Sequence, residues 1–174
     1  MGADPGLHSP PAGIAPFAAP GRVAVRPAPD LHRLALRGNP AALGAAFGIV
    51  LPTVPCRSAT ADGRAALWLG PDEWLLLSPS RLDPAEVPGG IAVDVSHRQI
   101  GLLLDGCAAA DMLAAGCPLD LHPSAFPPGM CTRTVFGKAE IVLWRTGAGF
   151  HLEVWRSFAA YVRALMAEAS SFGG

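Results

Sequence analysis

Leu34-Ala35-Leu36-Arg37-Gly38 and Leu102-Leu103-Leu104-Asp105-Gly106 repeat one pattern, an apolar strand followed by a charged residue and a glycine. Around the first copy, Arg33 to Gly38 alternates polar and apolar residues, the period of a half-buried strand. Asn39 suits a helix N-cap and Pro40 a first helical turn. Leu43, Ala46, Phe47 and Val50 follow at i, i+3, i+4 and i+7 and predict one buried helix face. Strand candidates lie near 56–61, 65–70 and 73–78. The last two flank Gly70-Pro71-Asp72-Glu73, where Pro and Asp suit the centre of a type I turn, so the pair predicts a hairpin.

Around the second copy, Ile91 to Val95 and Gln99 to Asp105 predict strands. Ala110, Leu113, Ala114 and Cys117 predict a helix that ends at Gly116 and Pro118. Strands near 131–136, 139–145 and 150–155 come next. Ser157 is placed to cap a last helix running to about Ala169, with Phe158, Tyr161, Val162, Leu165, Met166 and Ala169 as its apolar stripe. Both halves read strand, glycine, helix, three strands, and Trp68 and Trp144 fall on equivalent late strands. The order predicts an internal duplication of a βαβββ unit. The pseudo-repeats cover about 31–80 and 91–170 of a single domain over 22–174. Short helices among mostly antiparallel strands predict an α+β fold with helices on one face. Residues 1–21, rich in Pro, Gly and Ala, read as a flexible N-terminal arm able to order against a partner.

The chain has 174 residues and a net charge of −1. That length buries roughly 70% of the unfolded surface without disulfide or metal. No basic stripe with interleaved aromatics is present, which argues against nucleic acid and anionic membrane as partners. Charged residues make up only 16% and hydrophobic residues 51%, against about 25% charged in an average domain. Two readings fit: an Ala-rich sequence, or a surface partly covered by other chains. Runs such as Leu75-Leu76-Leu77 fall far short of the ~20 residues of a membrane span. Residues 1–20 lack the features of a secretory signal. Cys56, Cys107, Cys117 and Cys131 form no CxxC pair and read as buried free thiols. A cytoplasmic location is expected.

Asp94-Val95-Ser96-His97-Arg98 is the most polar cluster beside an apolar strand. Ser96 and His97 cannot act as nucleophile and base, because neighbours on a strand point to opposite faces and no G-x-S-x-G elbow surrounds Ser96. Asp94 and Ser96 share a face, so an Asp carboxylate accepting from a hydroxyl or backbone N–H at a strand end is expected. Asp120-Leu121-His122 reads as a polar turn tying a connector to the body, or as an Asp–His pair orienting an imidazole. His8, His32, His97, His122 and His151 show no metal-ligand spacing. No dinucleotide fingerprint or P-loop occurs. Trp68, Trp74, Trp144 and Trp155 all fall in strand candidates, as core or interface aromatics or as a stacking platform for a ring.

Five blocks resemble sarcosine oxidase gamma subunits, in register from about residue 30 to 170. They are Trp68 to Leu77, Val93 to Arg98, Gly116 to His122 with Phe126, Cys131 to Thr134, and Arg156 to Ala159. The resemblance implies a heterotetramer of alpha, beta, gamma and delta subunits that oxidatively demethylates sarcosine to glycine. The products would be hydrogen peroxide and either formaldehyde or methylenetetrahydrofolate. It implies FAD and covalent FMN on the beta side, NAD and tetrahydrofolate on alpha, zinc on delta, and no cofactor on this chain. The family fold is similar to the folate-binding domain of the glycine-cleavage aminomethyltransferase, which contains repeated α+β halves. No catalytic residue carries over. Trp74 marks specified structure or interface. Asp94, Ser96, His97 and Arg98 would fix a strand end, Asp120, His122 and Phe126 the connector, and Arg156 and Ser157 the start of the last helix. Two alternatives remain open: a stand-alone folate-binding one-carbon protein using Asp94 or Glu153 to hold a pterin, and a gamma-like subunit of a related N-methyl amine oxidising complex.

Overall fold

A computed structural model describes residues 15–19, 22–83 and 86–171. The first half runs β1 (Phe17–Ala19), β2 (Val23–Pro27), β3 (His32–Gly38), α1 (Pro40–Phe47), β4 (Ser58–Ala61), β5 (Arg64–Gly70) and β6 (Glu73–Ser78). The second runs β7 (Glu86–Val87), β8 (Gly90–Asp94), β9 (Gln99–Asp105), α2 (Ala109–Ala114), β10 (Cys131–Phe136), β11 (Ala139–Arg145) and β12 (Gly149–Trp155). A 3₁₀ turn, Arg156–Phe158, then leads into α3 (Ala159–Ser171).

These strands form two six-stranded sheets, ordered β1-β2-β9-β12-β11-β10 and β7-β8-β3-β6-β5-β4. The two orders are the same path walked twice, so the duplicated α+β architecture read from the sequence is present. The sequence pattern predicts the strand at Ile91 to Val95, which is β8, but it misses the hairpin that stands ahead of each βαβββ unit. β1–β2 precedes the first unit yet pairs with β9 of the second, and β7–β8 precedes the second yet pairs with β3 of the first. Each half therefore completes the other's sheet. Phe17–Ala19, within the segment read as a flexible arm, is one strand of the first hairpin, paired residue by residue with Val23–Val25. Residues 1–14, 20 and 21 of that arm lie outside the described residues.

The two glycines of the opening pattern mark where the exchanged hairpins dock. Gly38 has φ +125° and Gly106 φ +120°, a backbone region that side chains rarely adopt. A Cβ on Gly38 would stand 2.2 Å from the Gly89 carbonyl oxygen, and one on Gly106 would stand 2.3 Å from that of Arg22. Both oxygens belong to residues just ahead of the incoming strand, β8 in one case and β2 in the other.

Period-2 alternation splits each sheet into two apolar faces. Leu34, Leu36, Trp74 and Leu76 bury against Leu43 and Phe47 of α1, while Leu102, Leu104, Leu143 and Leu152 bury with Leu113, Val162 and Met166 of α2 and α3. Leu67, Leu75 and Leu77 face Cys131 and Val142 between the sheets. Each sheet thus carries helices on one face and the other sheet on its second face.

Asn39 caps α1, its Oδ1 accepting from the N–H groups of Ala41 and Ala42 at 2.9 and 3.0 Å. Asn39→Ala is expected to cost about 1 kcal/mol, read as a lower urea midpoint with unchanged slope. α1 ends at Gly48, in the left-handed region. The predicted face 43/46/47/50 therefore stops short: Leu43 and Phe47 are buried, Ala46 is exposed and Val50 is 82% exposed. In α2 the buried set is Ala109, Met112 and Leu113. Ala114, expected inside, is exposed, while Cys117 is buried beyond the helix end.

Ser157 does not cap the last helix. It is exposed inside the 3₁₀ turn, where Trp155 holds the cap position and makes no side-chain cap bond. The Arg98 carbonyl accepts the Arg156 N–H at 2.8 Å, so a terminal donor is already satisfied from across the strand end. Of the expected stripe, Val162 and Met166 are buried and Leu165 and Ala169 pack partly buried on the core, while Phe158 and Tyr161 are exposed and Ala159 is buried in addition. Trp68 and Trp144 do lie on equivalent strands, β5 and β11, but Trp68 packs on the α1 side of its sheet and Trp144 between the sheets.

Candidate functional site

The polar interior sits between the sheets. Arg33 of β3 and Glu153 of β12 are 4% and 1% exposed, on strands of different sheets. Arg33 donates from Nε to Glu153 Oε2 at 2.6 Å and from Nη2 to Oε1 at 3.1 Å, a bidentate pair; its Nη1 donates to the Leu31 carbonyl at 2.6 Å. His151, 5% exposed, meets Glu153 Oε1 through Nε2 at 2.7 Å. Burial pushes the Glu153 carboxyl up, but His151 and Arg33 together outweigh it and hold the carboxyl below its usual range.

Space for this cluster is created by a missing side chain. Gly101 of β9 pairs directly with Glu153, and a Cβ there would stand 2.8 Å from Glu153 Oε1 and 2.9 Å from His151 Nε2. The registers also show a break in the internal symmetry. Arg33 faces Leu77 across β3–β6, and Gly101 faces Glu153 across β9–β12. What is arginine against leucine in one half is glycine against glutamate in the other, and the large charged member of each half reaches across to its counterpart.

A second polar group ties the end of β8 to β3. Ser96 Oγ accepts the Arg33 N–H at 2.9 Å, and Asp94 Oδ1 accepts the Ser96 N–H at 2.8 Å. His32 Nδ1 accepts the Leu82 N–H at 3.2 Å, which places the proton on Nε2, directed at Asp94 Oδ2 at 3.0 Å. Partial burial would raise the Asp94 carboxyl, but the bonds from Ser96 and then His32 prevail and hold it at about 2. A carboxyl depressed below its ordinary 3.8 contributes stability that is present above that value and is lost as pH falls toward 2. Asp94→Asn is expected to flatten the fall in urea midpoint between about pH 4 and 2 that the unaltered chain shows.

Of the remaining residues singled out from sequence, Trp74 is fully buried with Nε1 donating to the Pro52 carbonyl at 2.7 Å. Asp120 accepts the His122 backbone N–H at 2.9 Å, so the pair forms a turn and the carboxylate does not orient the imidazole. The His122 ring meets Ser124 Oγ at 2.7 Å. Phe126 is buried and stacks on Phe150 at 6.5 Å, and Arg145 donates to the Leu121 and Phe126 carbonyls, pinning the connector. His97 and Arg98 are exposed while Ser96 is buried. The backbone N–H of Arg156 and its Nε donate to the Arg98 and His97 carbonyls.

The structure thus joins Asp94 and Ser96, joins Arg98 and Arg156, and leaves the Asp120 connector apart from both. Sequence reasoning missed Arg33, His32 and His151. The signal was present: Arg33, Glu153 and His151 are polar residues on otherwise apolar strands.

The cysteines are free. Cys117 and Cys131 are buried as expected, but Cys56 is half-buried and Cys107 exposed. Burial pushes the Cys131 thiol up to about 12; it donates to the Arg57 and Trp68 carbonyls. Among the described residues no three His, Cys, Asp or Glu side chains converge as metal ligands, and no helix is long and apolar enough to cross a membrane.

Of the two carboxylates considered for a pterin, Glu153 is sealed from solvent and Asp94 is partly exposed. Both oxygens of Glu153 and both of Asp94 are engaged within the chain. The cleft beside them, bounded by Asp30, Arg33, Ser96, Gln99 and Arg156, encloses about 180 Å³, below the roughly 300–1,000 Å³ of ordinary ligand pockets.

Fold and interior together define a duplicated antiparallel α+β domain whose buried charges hold its own halves together. Residues 35–172 match the sequence model of the sarcosine oxidase, gamma subunit family, and the chain belongs to that family. It is 38% identical over 119 residues to the sarcosine oxidase subunit gamma of Corynebacterium sp. (strain P-1), covering 63% of this chain and 58% of that one. To the subunit gamma of Corynebacterium sp. (strain U-96) it is 40% identical over 129 residues, covering 66% and 62%. The match therefore spans about three fifths of these relatives' length. Its structure superposes on a chain of the heterotetrameric sarcosine oxidase from Corynebacterium sp. U-96, solved in complex with pyrrole 2-carboxylate. That superposition has a TM-score of 0.79 and 31% identity, and covers 90% of this chain and 88% of that one.

Proposed function

We propose that this chain is the gamma subunit of a heterotetrameric sarcosine oxidase and acts as an assembly subunit of that cytoplasmic oxidoreductase. The observation that carries the reading is the superposition over nearly the whole of both chains on a subunit of such an oxidase. The interior supports a non-catalytic role. Its charged groups are spent on joining the two sheets and on the strand end at Asp94. In this reading the alpha, beta and delta subunits carry FAD, FMN, NAD, tetrahydrofolate and zinc. The complex oxidises sarcosine to glycine and yields hydrogen peroxide with formaldehyde or methylenetetrahydrofolate.

A leave-one-out co-expression tests it. Alpha, beta and delta expressed with this chain should give sarcosine-dependent peroxide release, and omitting the chain should lower the yield of active complex. This chain alone should release none. Full activity without it, or oxidase activity in the isolated chain, contradicts the proposal.

A further inference from the structure

Cys131 opens β10, the edge strand of one sheet, and Cys56 lies two residues ahead of β4, the edge strand of the other. The chain brings the two face to face. Arg57 and Met130 form an isolated antiparallel bridge, and one residue further out the Cys56 carbonyl accepts the Cys131 N–H at 3.0 Å. Residues opposed and hydrogen-bonded in this way have Cα atoms about 5.5 Å apart, inside the roughly 4.4–6.8 Å that a disulfide spans. The Cys131 sulfur already leans on this segment, donating to the carbonyl of Arg57, the neighbour of Cys56, at 3.3 Å. Burial is the largest cause of the raised Cys131 thiol, and repulsion from Cys56 adds to it.

The backbone at Cys56 is unusual. Its φ is +58°, a left-handed conformation that residues other than Gly, Asn and Asp rarely take. Among the described residues the other non-glycine with positive φ is Asp62. Asp62 and Gly63 form the two-residue loop between β4 and β5, where an Asp-Gly pair is ordinary. Cys56 has no such explanation in its own sequence, and strain of this kind collects at functional positions. Cys56 is half-buried and Cys131 buried, so one thiol of the pair is reachable and the other shielded. Cys107 and Cys117 lie elsewhere, against the Arg22 carbonyl and the Thr134 hydroxyl.

We infer that Cys56 and Cys131 are a dithiol that hydrogen peroxide oxidises to an intrachain disulfide, tying the edge of one sheet to the edge of the other. The inference rests on the proposed oxidase for its source of peroxide and goes beyond it in assigning a reactive site to this chain. The Cys56 thiolate attacks one peroxide oxygen. The O–O bond breaks, hydroxide leaves and collects the proton the thiol gave up, and Cys56 becomes a sulfenic acid. The Cys131 sulfur then attacks the Cys56 sulfur. The S–O bond breaks, and the hydroxyl departs with the Cys131 proton as a second water. Two thiols lose two electrons and one peroxide becomes two waters. The shielded Cys131 thiol makes the second step the slow one. A bridge that holds a left-handed residue is strained and therefore readily reduced, so the change is reversible.

The test is mass spectrometry of the full chain carrying Cys107→Ser, so that the exposed thiol does not compete. After hydrogen peroxide and alkylation under denaturing conditions, the chain should be lighter by about 2 Da, the loss of two hydrogens, and carry a single alkyl group, on Cys117. A non-reduced digest should join the Cys56 and Cys131 peptides, and dithiothreitol should part them. Adding Cys131→Ser should halt the reaction at a Cys56 sulfenic acid that dimedone traps; adding Cys56→Ser should give neither product. If Cys131→Ser proves misfolded by circular dichroism, the digest of the chain with both thiols still decides. Full alkylation of Cys56 and Cys131 after peroxide overturns the inference, as does a bridge from Cys56 to Cys117 or one formed solely between two chains. A second arm uses the complex with alpha, beta and delta subunits, fed sarcosine. The same cross-link should form there, and catalase should prevent it. Peroxide release without the cross-link overturns the inference. A cross-link with added peroxide, but no peroxide from the sarcosine-fed complex, upholds the dithiol and sinks the proposed activity instead, so the two failures are distinguishable.

Discussion

Glu153→Ala is expected to lower the stability of the isolated chain by about 3–5 kcal/mol, the usual cost of removing one partner from a buried ion pair. At this chain length each kcal/mol moves Tm by about 2–4 °C, so a fall of about 10 °C should be measurable by calorimetry. The reason is the state of what remains. Arg33 would keep its charge, 4% exposed between two sheets, with the Leu31 carbonyl as its surviving partner. Replacing both members, Arg33→Met with Glu153→Leu, should recover most of the loss, because the desolvation of two ions is then no longer required. A double mutant as unstable as Glu153→Ala would mean that packing around these side chains, and not their charge, holds the seam.

Gly38→Ala and Gly106→Ala form the second large prediction. Each added Cβ would come within 2.3 Å of a carbonyl oxygen, closer than contact allows, and the atom in the way is backbone that cannot swing aside. The left-handed φ adds strain of about 1–3 kcal/mol, and overpacking adds about 1–3 more. Both substitutions loosen a hairpin that came from the other half of the chain, so both should lower the global urea midpoint together and not detach one sheet alone. A loss below about 1 kcal/mol at either position would contradict the docking role assigned to these glycines.

The same glycines show how far the sequence could be read. The repeated strand–glycine–helix pattern revealed the duplication, because a backbone that must pass within van der Waals contact of another leaves a glycine in each copy. It did not reveal the exchange of hairpins. Val23 and Val25 alternate as strand residues do and are buried, but nothing local says which sheet a five-residue strand will join; that is settled by pairing with β9, far along the chain.

Helix faces were legible where tertiary packing agreed with the 3.6-residue period, as at Leu43 and Phe47. They failed at Val50, beyond a left-handed cap, and at Phe158 and Tyr161, where a 3₁₀ turn resets the phase. The Asp94–Ser96 strand end was visible because its partners are two residues apart. The Arg33–Glu153 pair was not, since 120 residues separate its members and only the meeting of two sheets brings them together. Their apolar settings were the available clue, for an arginine and a glutamate on strands buried on both faces require each other.

The most direct test of the account is the mass and colour of what this chain carries with it. Tagged, co-expressed with alpha, beta and delta, purified in one step and examined by native mass spectrometry, it should appear in a single yellow assembly with one copy of each subunit. A colourless lone monomer from that co-expression, or a monomer that holds its own flavin and consumes an N-methyl amine, would contradict it.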